Sequence, residues 1–120
     1  KPYYTVLDGK VTDLIEIPSK WELDDYVAQA YSIYPAEPAG LDRISCYRNV
    51  QDNDLREFHG YRDMGLCIDF LMHPQISGAP GRNLVLEEIL KEVTSHDDVW
   101  VATCKEIADY WRTAHPRKEG

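Results

Sequence analysis

The chain has 120 residues, 43% of them hydrophobic, and a formal net charge of −8 at pH 7. This composition is typical of one small soluble globular domain. The acidic balance argues against nucleic acid or an anionic membrane as a partner. No apolar stretch is long enough to cross a bilayer, and the first residues lack the apolar segment of a signal peptide.

The three cysteines suggest a cellular compartment and do not suggest a metal site. Cys46, Cys67 and Cys104 form no Cys-x-x-Cys pair, so a thiolate zinc site has no support. Their odd number, together with the lack of an Asn-x-Ser/Thr sequon, favours a reducing, cytoplasmic compartment.

The first half of the chain predicts short elements joined by long connections. Residues 3–12 read as a hairpin, because Asp8-Gly9 supplies the positive φ angles of a two-residue turn. Residues 14–17 form a second extended run, and Ser19 with Glu22 has the spacing of a helix capping box. The pattern dissolves over 34–53, and residues 54–61 could form a helix.

The second half alternates apolar runs with helical periods. The predicted elements are a buried strand at 65–73, a turn-rich loop at 74–81, a helix at about 82–95, a short buried strand at 99–102 and a final helix opened by a capping box at Thr103 and Glu106. Strand–helix–strand–helix order is typical of parallel α/β architecture. Two such units cannot close a barrel, so we expect the chain to complete its core against something else.

His73 is the best catalytic candidate. It stands at the C-terminal end of the predicted strand, where parallel α/β folds place their active groups, and Pro74 restricts its backbone. An imidazole can transfer protons near pH 7. The alternative is a strand-end histidine that is hydrogen-bonded to a loop carbonyl.

Three blocks resemble a known family. The His73-Pro74 pair with the Ser77-Gly78-x-Pro80 loop resembles the last motif of polysaccharide deacetylases, particularly their allantoinase-like and cyclic-imide-hydrolase branch. Residues 17–25 are similar to that branch's Pro-x-x-Trp-x-Leu-Asp-Asp segment, and residues 99–111 resemble its closing strand and helix.

The resemblance implies a fold and a set of roles. Residues 1–120 would be the C-terminal part of a single distorted (β/α) barrel domain, incomplete here because the N-terminal metal-binding half is absent. His73 would be the general acid beside a divalent metal, which in this family is usually zinc. Trp21 would line the substrate pocket, and Asp24 or Asp25 would orient neighbours or contact substrate.

The family's metal-binding residues have no counterpart in this chain. Its Asp and His-x-x-x-His motifs do not occur, and the four histidines, His59, His73, His96 and His115, lie far apart in the sequence. We therefore expect no catalytic metal to bind this chain alone and expect the isolated chain to be inactive. The implied partner is the N-terminal half or a companion chain, and a homo-oligomer is possible.

Several candidates keep a second interpretation. Trp21 could be a substrate platform or a lid over the core, and Asp24-Asp25 could serve chemistry or cap a helix. Arg82 could hold a substrate anion or carbonyl at a helix start, or tie the loop to a carboxylate. Asp69 has no explanation from the pattern.

These observations predict a hydrolase of non-peptide amide C–N bonds. Its substrate would be an N-acetylated sugar, or a small cyclic imide or ureide whose ring it opens. The alternative is a non-catalytic binding or assembly subunit on a half-barrel scaffold. The enzyme interpretation requires residues 19–25 to lie against the end of the strand that carries His73.

Overall fold

A computed structural model describes residues 1–29, 31–32, 41–42 and 46–117 of the chain. Its elements, in chain order, are β1 (Tyr3–Leu7), β2 (Lys10–Glu16), a 3₁₀ turn (Trp21–Leu23), α1 (Asp25–Gln29), β3 (Tyr31–Ser32), β4 (Leu41–Asp42), α2 (Tyr47–Asp63), α3 (Pro74–Ser77), α4 (Pro80–Thr94) and α5 (Cys104–Ala114). Within these ranges, no helix combines the length and apolar character that a membrane span requires.

The chain divides into two compact units, which we call the hairpin unit and the helical unit. The hairpin unit comprises Lys1–Pro18 and Trp100–Gly120, and the helical unit comprises Ser19–Val99. All the candidate site residues named from the sequence belong to the helical unit.

The hairpin unit confirms the predicted turn. β1 and β2 pair antiparallel, and Asp8 and Gly9 take φ angles of 50° and 75° between them. Ile15 pairs with Tyr4, so the run at 14–17 is mostly a continuation of β2 and not a separate strand. α5 begins with the predicted capping box, in which Thr103 and Glu106 bond each other's backbone.

The core of the helical unit lies between α2 and α4. Phe58 and Ile89 are each 2% exposed, and Val50 and Val85 are buried beside them on the same two helices. Val50, Asp54 and Phe58 lie on one stripe of α2, at the four-residue spacing that an amphipathic helix buries. The remaining buried apolar side chains, Leu23 and Ile76, come from the segments that form the candidate site described below.

The two predicted buried strands are not formed. Of residues 65–73, only Leu71 has a ladder partner, through an isolated parallel bridge with Asp24. Residues 99–102 form no strand, and Trp100 is 58% exposed. An apolar run becomes a strand only where a neighbour accepts its backbone hydrogen bonds, and the described residues supply one such neighbour at a single position.

The predicted parallel α/β sheet is therefore not observed in the described ranges. Both two-stranded sheets, β1–β2 and β3–β4, are antiparallel, and the Asp24–Leu71 bridge is the one parallel pairing found there. What the structure does have is mixed α and β content. The barrel-portion fold class remains a prediction.

Helix boundaries also differ from the expected ones. α2 begins at Tyr47, inside the stretch 34–53 that was expected to be irregular, part of which (34–40 and 43–45) lies outside the described residues. The prediction of a capping box at Ser19 and Glu22 is wrong, because the 3₁₀ turn starts after Lys20 and has no side-chain cap. The loop at 74–81 contains α3, and α4 begins at Pro80, a residue favoured at the first helical position.

Candidate active site

Two short backbone hydrogen bonds bring the halves of the candidate site together. Leu71 N donates to Leu23 O at 3.0 Å, and Asp25 N donates to Leu71 O at 3.1 Å. These bonds place the start of α1 beside the residues that lead into His73. Leu23 and Asp25, within the segment 19–25, thus lie beside the residues that precede His73, as the enzyme interpretation requires.

One buried carboxylate holds His73 by both its backbone and its ring. Asp25 Oδ2 accepts from His73 N at 2.9 Å, and Asp25 Oδ1 lies 2.6 Å from His73 Nδ1. The Asp25 residue is 4% exposed, whereas the His73 side chain is partly open to solvent. This arrangement fixes the direction of the ring and occupies Nδ1, so Nε2 is the nitrogen left to meet a substrate.

The turn after His73 adds a third donor to the same carboxylate. Pro74 starts α3, and Ile76 N and Ser77 N both donate to His73 O at 2.9 Å, which brings the Ser77 side chain back toward Asp25. Ser77 Oγ donates to Asp25 Oδ2 at 2.5 Å. Gly78 closes the turn, where a Cβ would overlap the Pro74 carbonyl oxygen.

The hydrogen bonds decide the charge of Asp25. Burial acts to raise the pKa of its carboxyl, but the hydrogen bonds from Ser77 and from the backbone and ring of His73 outweigh burial, and the net pKa is lowered. Asp25 is therefore a carboxylate at neutral pH. Its negative charge lies against the imidazole and compensates a positive charge on the protonated ring.

Asp24 caps a helix, which was the alternative to a catalytic role for the pair Asp24-Asp25. Its Oδ1 accepts from Tyr26 N at 2.8 Å at the start of α1, and the same oxygen lies 3.7 Å from His73 Nδ1. The Tyr26 ring lies beside the imidazole, with centroids 5.7 Å apart. Asp25 thus orients His73, and Asp24 primarily caps the helix.

The other two candidates are placed less tightly. Trp21 lies on the 3₁₀ turn and is 77% exposed, so it covers no core in this structure and stays available as a platform. Arg82, at the start of α4, donates from Nη2 to Gln29 O at 2.8 Å. That bond ties the helix start to the end of α1 through a carbonyl, where the structural interpretation expected a carboxylate.

Asp54 is a buried acid that the sequence interpretation missed. It lies on the buried stripe of α2, between Val50 and Phe58, and the Asn53 side chain bonds both Asp54 and Glu22 O. Burial, reinforced by the charge of Asp25 and only partly opposed by the Asn53 hydrogen bond, raises the pKa of Asp54 to about 6. An aspartate on an apolar helix stripe was the signal that could have found it.

These residues do not fit the family's catalytic metal. Donor atoms of Asp24, Asp25 and His73 lie within 4.8 Å of one another. However, both oxygens of Asp25 already accept hydrogen bonds, and His73 Nδ1 faces one of them. A metal there would have to replace the contact between His73 Nδ1 and Asp25 Oδ1, while the other oxygen of Asp25 already accepts from His73 N and Ser77 Oγ. As it stands, the arrangement can hold and transfer a proton at His73 Nε2.

Known proteins similar to this chain share one description. A peptidoglycan deacetylase of Helicobacter pylori is 29% identical over 116 residues, which cover 95% of this chain and 39% of that protein. A protein of Schizosaccharomyces pombe assigned as a polysaccharide deacetylase is 40% identical over 47 residues, or 39% of this chain and 15% of that protein.

A solved structure agrees with both. The crystal structure of a protein assigned as a polysaccharide deacetylase from Mycobacterium smegmatis matches with a TM-score of 0.77 and 33% identity, covering 99% of this chain and 41% of that one. No protein-family model matches. The chain spans about two fifths of the length of the Helicobacter relative and of the solved structure. The likeness to proteins described as peptidoglycan or polysaccharide deacetylases extends over nearly the whole chain, which is consistent with a portion of a polysaccharide deacetylase.

Proposed function

We propose that the protein containing this chain hydrolyses the amide C–N bond of an N-acetylated sugar, with His73 as general acid. The observation that carries the proposal is the 2.6 Å approach of His73 Nδ1 to the buried Asp25 Oδ1. A carboxylate at Nδ1 selects the tautomer that presents Nε2 outward and compensates the imidazolium charge. Those are the two properties that a proton donor requires.

The proposed step is protonation of the departing nitrogen. Water adds to the acetyl carbonyl and forms a tetrahedral intermediate, in which the amine is a poor leaving group. His73 Nε2–H donates its proton to that nitrogen as the C–N bond breaks, which releases acetate and the free amino sugar. Asp25 stays ionised and holds the ring, because its pKa is lowered by the hydrogen bonds that outweigh its burial.

The described residues support only this proton-donating part of the reaction. Activation of water by a divalent metal, zinc in the family's usual case, would need ligands beyond the residues around His73. We infer that they come from another part of the same protein or from a companion chain, and that residues 1–120 contribute to one barrel with them.

The substrate class rests on the relatives. Two of the similar proteins are named for polysaccharides and one for peptidoglycan. These names favour a sugar amide over the cyclic imide or ureide that the sequence motifs also allow. Trp21, exposed on its turn, is the proposed sugar platform, because an aromatic face suits the apolar face of a pyranose.

The test is hydrolysis by the complete protein. Acetate release from N-acetylglucosamine oligomers and from peptidoglycan is compared with ring opening of a cyclic imide and a ureide at equal concentrations. Acetate release in preference to ring opening supports the proposal. Ring opening without acetate release would contradict the substrate class, and glycan binding without any hydrolysis would favour the non-catalytic subunit.

A further inference from the structure

A second cluster of ligand-type side chains lies away from His73, at one end of the α2–α4 pair. His59 comes from α2, Glu92 from the last turn of α4, and His96 from the residues just after that helix. His59 and His96 are 37 positions apart in the sequence, which is why their spacing suggested no metal site. Because α2 packs against α4, the two histidines are close in space.

The donor atoms are already close to metal-ligand geometry. Glu92 Oε1 lies 3.0 Å from His96 Nε2 and 3.5 Å from His59 Nε2, and the three donors lie within 4.8 Å of one another. In tetrahedral zinc sites, bonds of about 2.0–2.2 Å place neighbouring donors roughly 3.4 Å apart. Small side-chain adjustments would therefore be enough to admit an ion.

A buried aromatic ring supports both imidazoles. Phe58 is 2% exposed, and its centroid lies 5.1 Å from the His59 ring and 5.6 Å from the His96 ring. The two imidazoles meet nearly edge to face, at 5.9 Å and 80°. Packing against this fixed ring reduces the side-chain freedom that binding would otherwise have to remove.

The donor set selects the class of ion. Two imidazole nitrogens and one carboxylate oxygen suit zinc and neighbouring transition metals, whereas Mg²⁺ and Ca²⁺ prefer oxygen ligands only. All three side chains are partly exposed, which leaves room for water as a fourth ligand. The Asp24–Asp25–His73 cluster differs, because both oxygens of its central carboxylate already accept hydrogen bonds.

We propose that His59 Nε2, Glu92 Oε1 and His96 Nε2 form a Zn²⁺ site that clamps α2 to the end of α4. The site has three protein ligands and is separate from the candidate active site. It stands on its own geometry, independent of the hydrolase proposal.

The test counts zinc in the complete protein. Samples equilibrated with Zn²⁺ are measured by elemental analysis and by isothermal titration, using wild type, His59→Ala, His96→Ala and the double variant. The double variant should hold one equivalent less per chain. Each single variant should bind at least about 10-fold more weakly, the loss that even an outer-shell change causes. Excess Mg²⁺ should not displace the ion.

Two controls and a second ligand variant make the result decisive. His115→Ala, in the hairpin unit, and His73→Ala should both retain the equivalent that the double variant loses. Glu92→Gln tests the site if a histidine variant fails to fold, because it keeps the side-chain shape while weakening coordination. Equal zinc content in wild type, Glu92→Gln and the double variant, or loss of that equivalent in a control instead, would overturn the proposal.

Discussion

His73 and Asp25 are joined twice: the carboxylate accepts from the histidine backbone at 2.9 Å and lies 2.6 Å from its ring nitrogen. The ring therefore cannot turn without breaking a bond to a group that also anchors its backbone. Pre-organisation of this kind lowers the cost of reaching the reactive geometry.

Asp25→Asn should lower kcat for amide hydrolysis by up to about 10²–10⁴-fold, the range of general acid catalysis. The amide can still bond the backbone of His73, but it no longer compensates a charged ring. Steady-state kinetics on an N-acetylated oligomer measures the loss. Asp24→Asn is the matched control: asparagine caps a helix about as well as aspartate, so both stability and kcat should stay close to wild type. Equal losses in both variants would contradict the assigned roles.

Ser77→Ala should destabilise the protein in a pH-dependent manner. The hydroxyl donates to a carboxylate whose pKa is lowered, so its contribution is fully present above the unfolded pKa near 3.8 and is lost as pH falls through the folded pKa. We expect a loss of about 1.5–3 kcal/mol at pH 7 that shrinks in acid. Urea unfolding from pH 7 to pH 3 tests this, with exposed Ser95→Ala as control. A loss of constant size would argue that Asp25 is not charged.

Asp54→Asn should change how stability depends on pH. The folded pKa of about 6 exceeds the unfolded value of 3.8, so Asp54 favours folding most below pH 4 and loses that contribution as pH rises through 6. The asparagine side chain cannot ionise, so the variant should gain about 3 kcal/mol relative to wild type between pH 4 and pH 7. The exposed Asp52→Asn change, in the same helix, is the matched control for the loss of a carboxylate that is not buried. If the free energy of unfolding of wild type and of Asp54→Asn changed with pH in the same way, the raised pKa of Asp54 would be refuted.

Gly78→Ala and Gly60→Ala should have opposite effects on the free energy of unfolding. A Cβ at Gly78 overlaps the Pro74 carbonyl oxygen, so the turn that carries Ser77 must shift, at a cost of about 1–3 kcal/mol. A Cβ at Gly60, inside α2, meets nothing and should stabilise by about 0.5–1 kcal/mol. Thermal unfolding compares the two. Stabilisation by Gly78→Ala would show that the turn is less closely packed than described.

Most local signals were read correctly from the sequence, the Ser19–Glu22 capping box being the exception, whereas signals that depend on neighbours were not. The Asp8-Gly9 turn, the Thr103–Glu106 capping box and the α4 stripe depend on residues close in sequence, and all three are found. The runs at 65–73 and 99–102 have the composition of buried strands, but strand formation depends on a hydrogen-bonding neighbour that composition does not reveal.

In the candidate site, too, the sequence motifs identified residues but not their tertiary contacts. The His-Pro and Trp-x-Leu-Asp-Asp motifs pointed to His73 and to the acidic pair, but not to which acid would hold the histidine. That choice depends on the Asp25–Leu71 backbone bond, which is a tertiary contact. Ser77 was named only as part of a motif and Asp54 was missed, because the interaction of each with Asp25 is a tertiary one that the sequence does not show.

The most direct measurement of the central claim is the turnover of His73→Ala in the complete enzyme on two matched substrates. One is an N-acetylated sugar, and the other is its O-acetyl ester analogue, whose oxygen leaves without needing a full proton. If His73 protonates the leaving nitrogen, kcat on the amide should fall by about 10²–10⁴-fold, and kcat on the ester should fall far less. Equal losses on both substrates, or near-full turnover of the amide, would contradict His73 as the general acid.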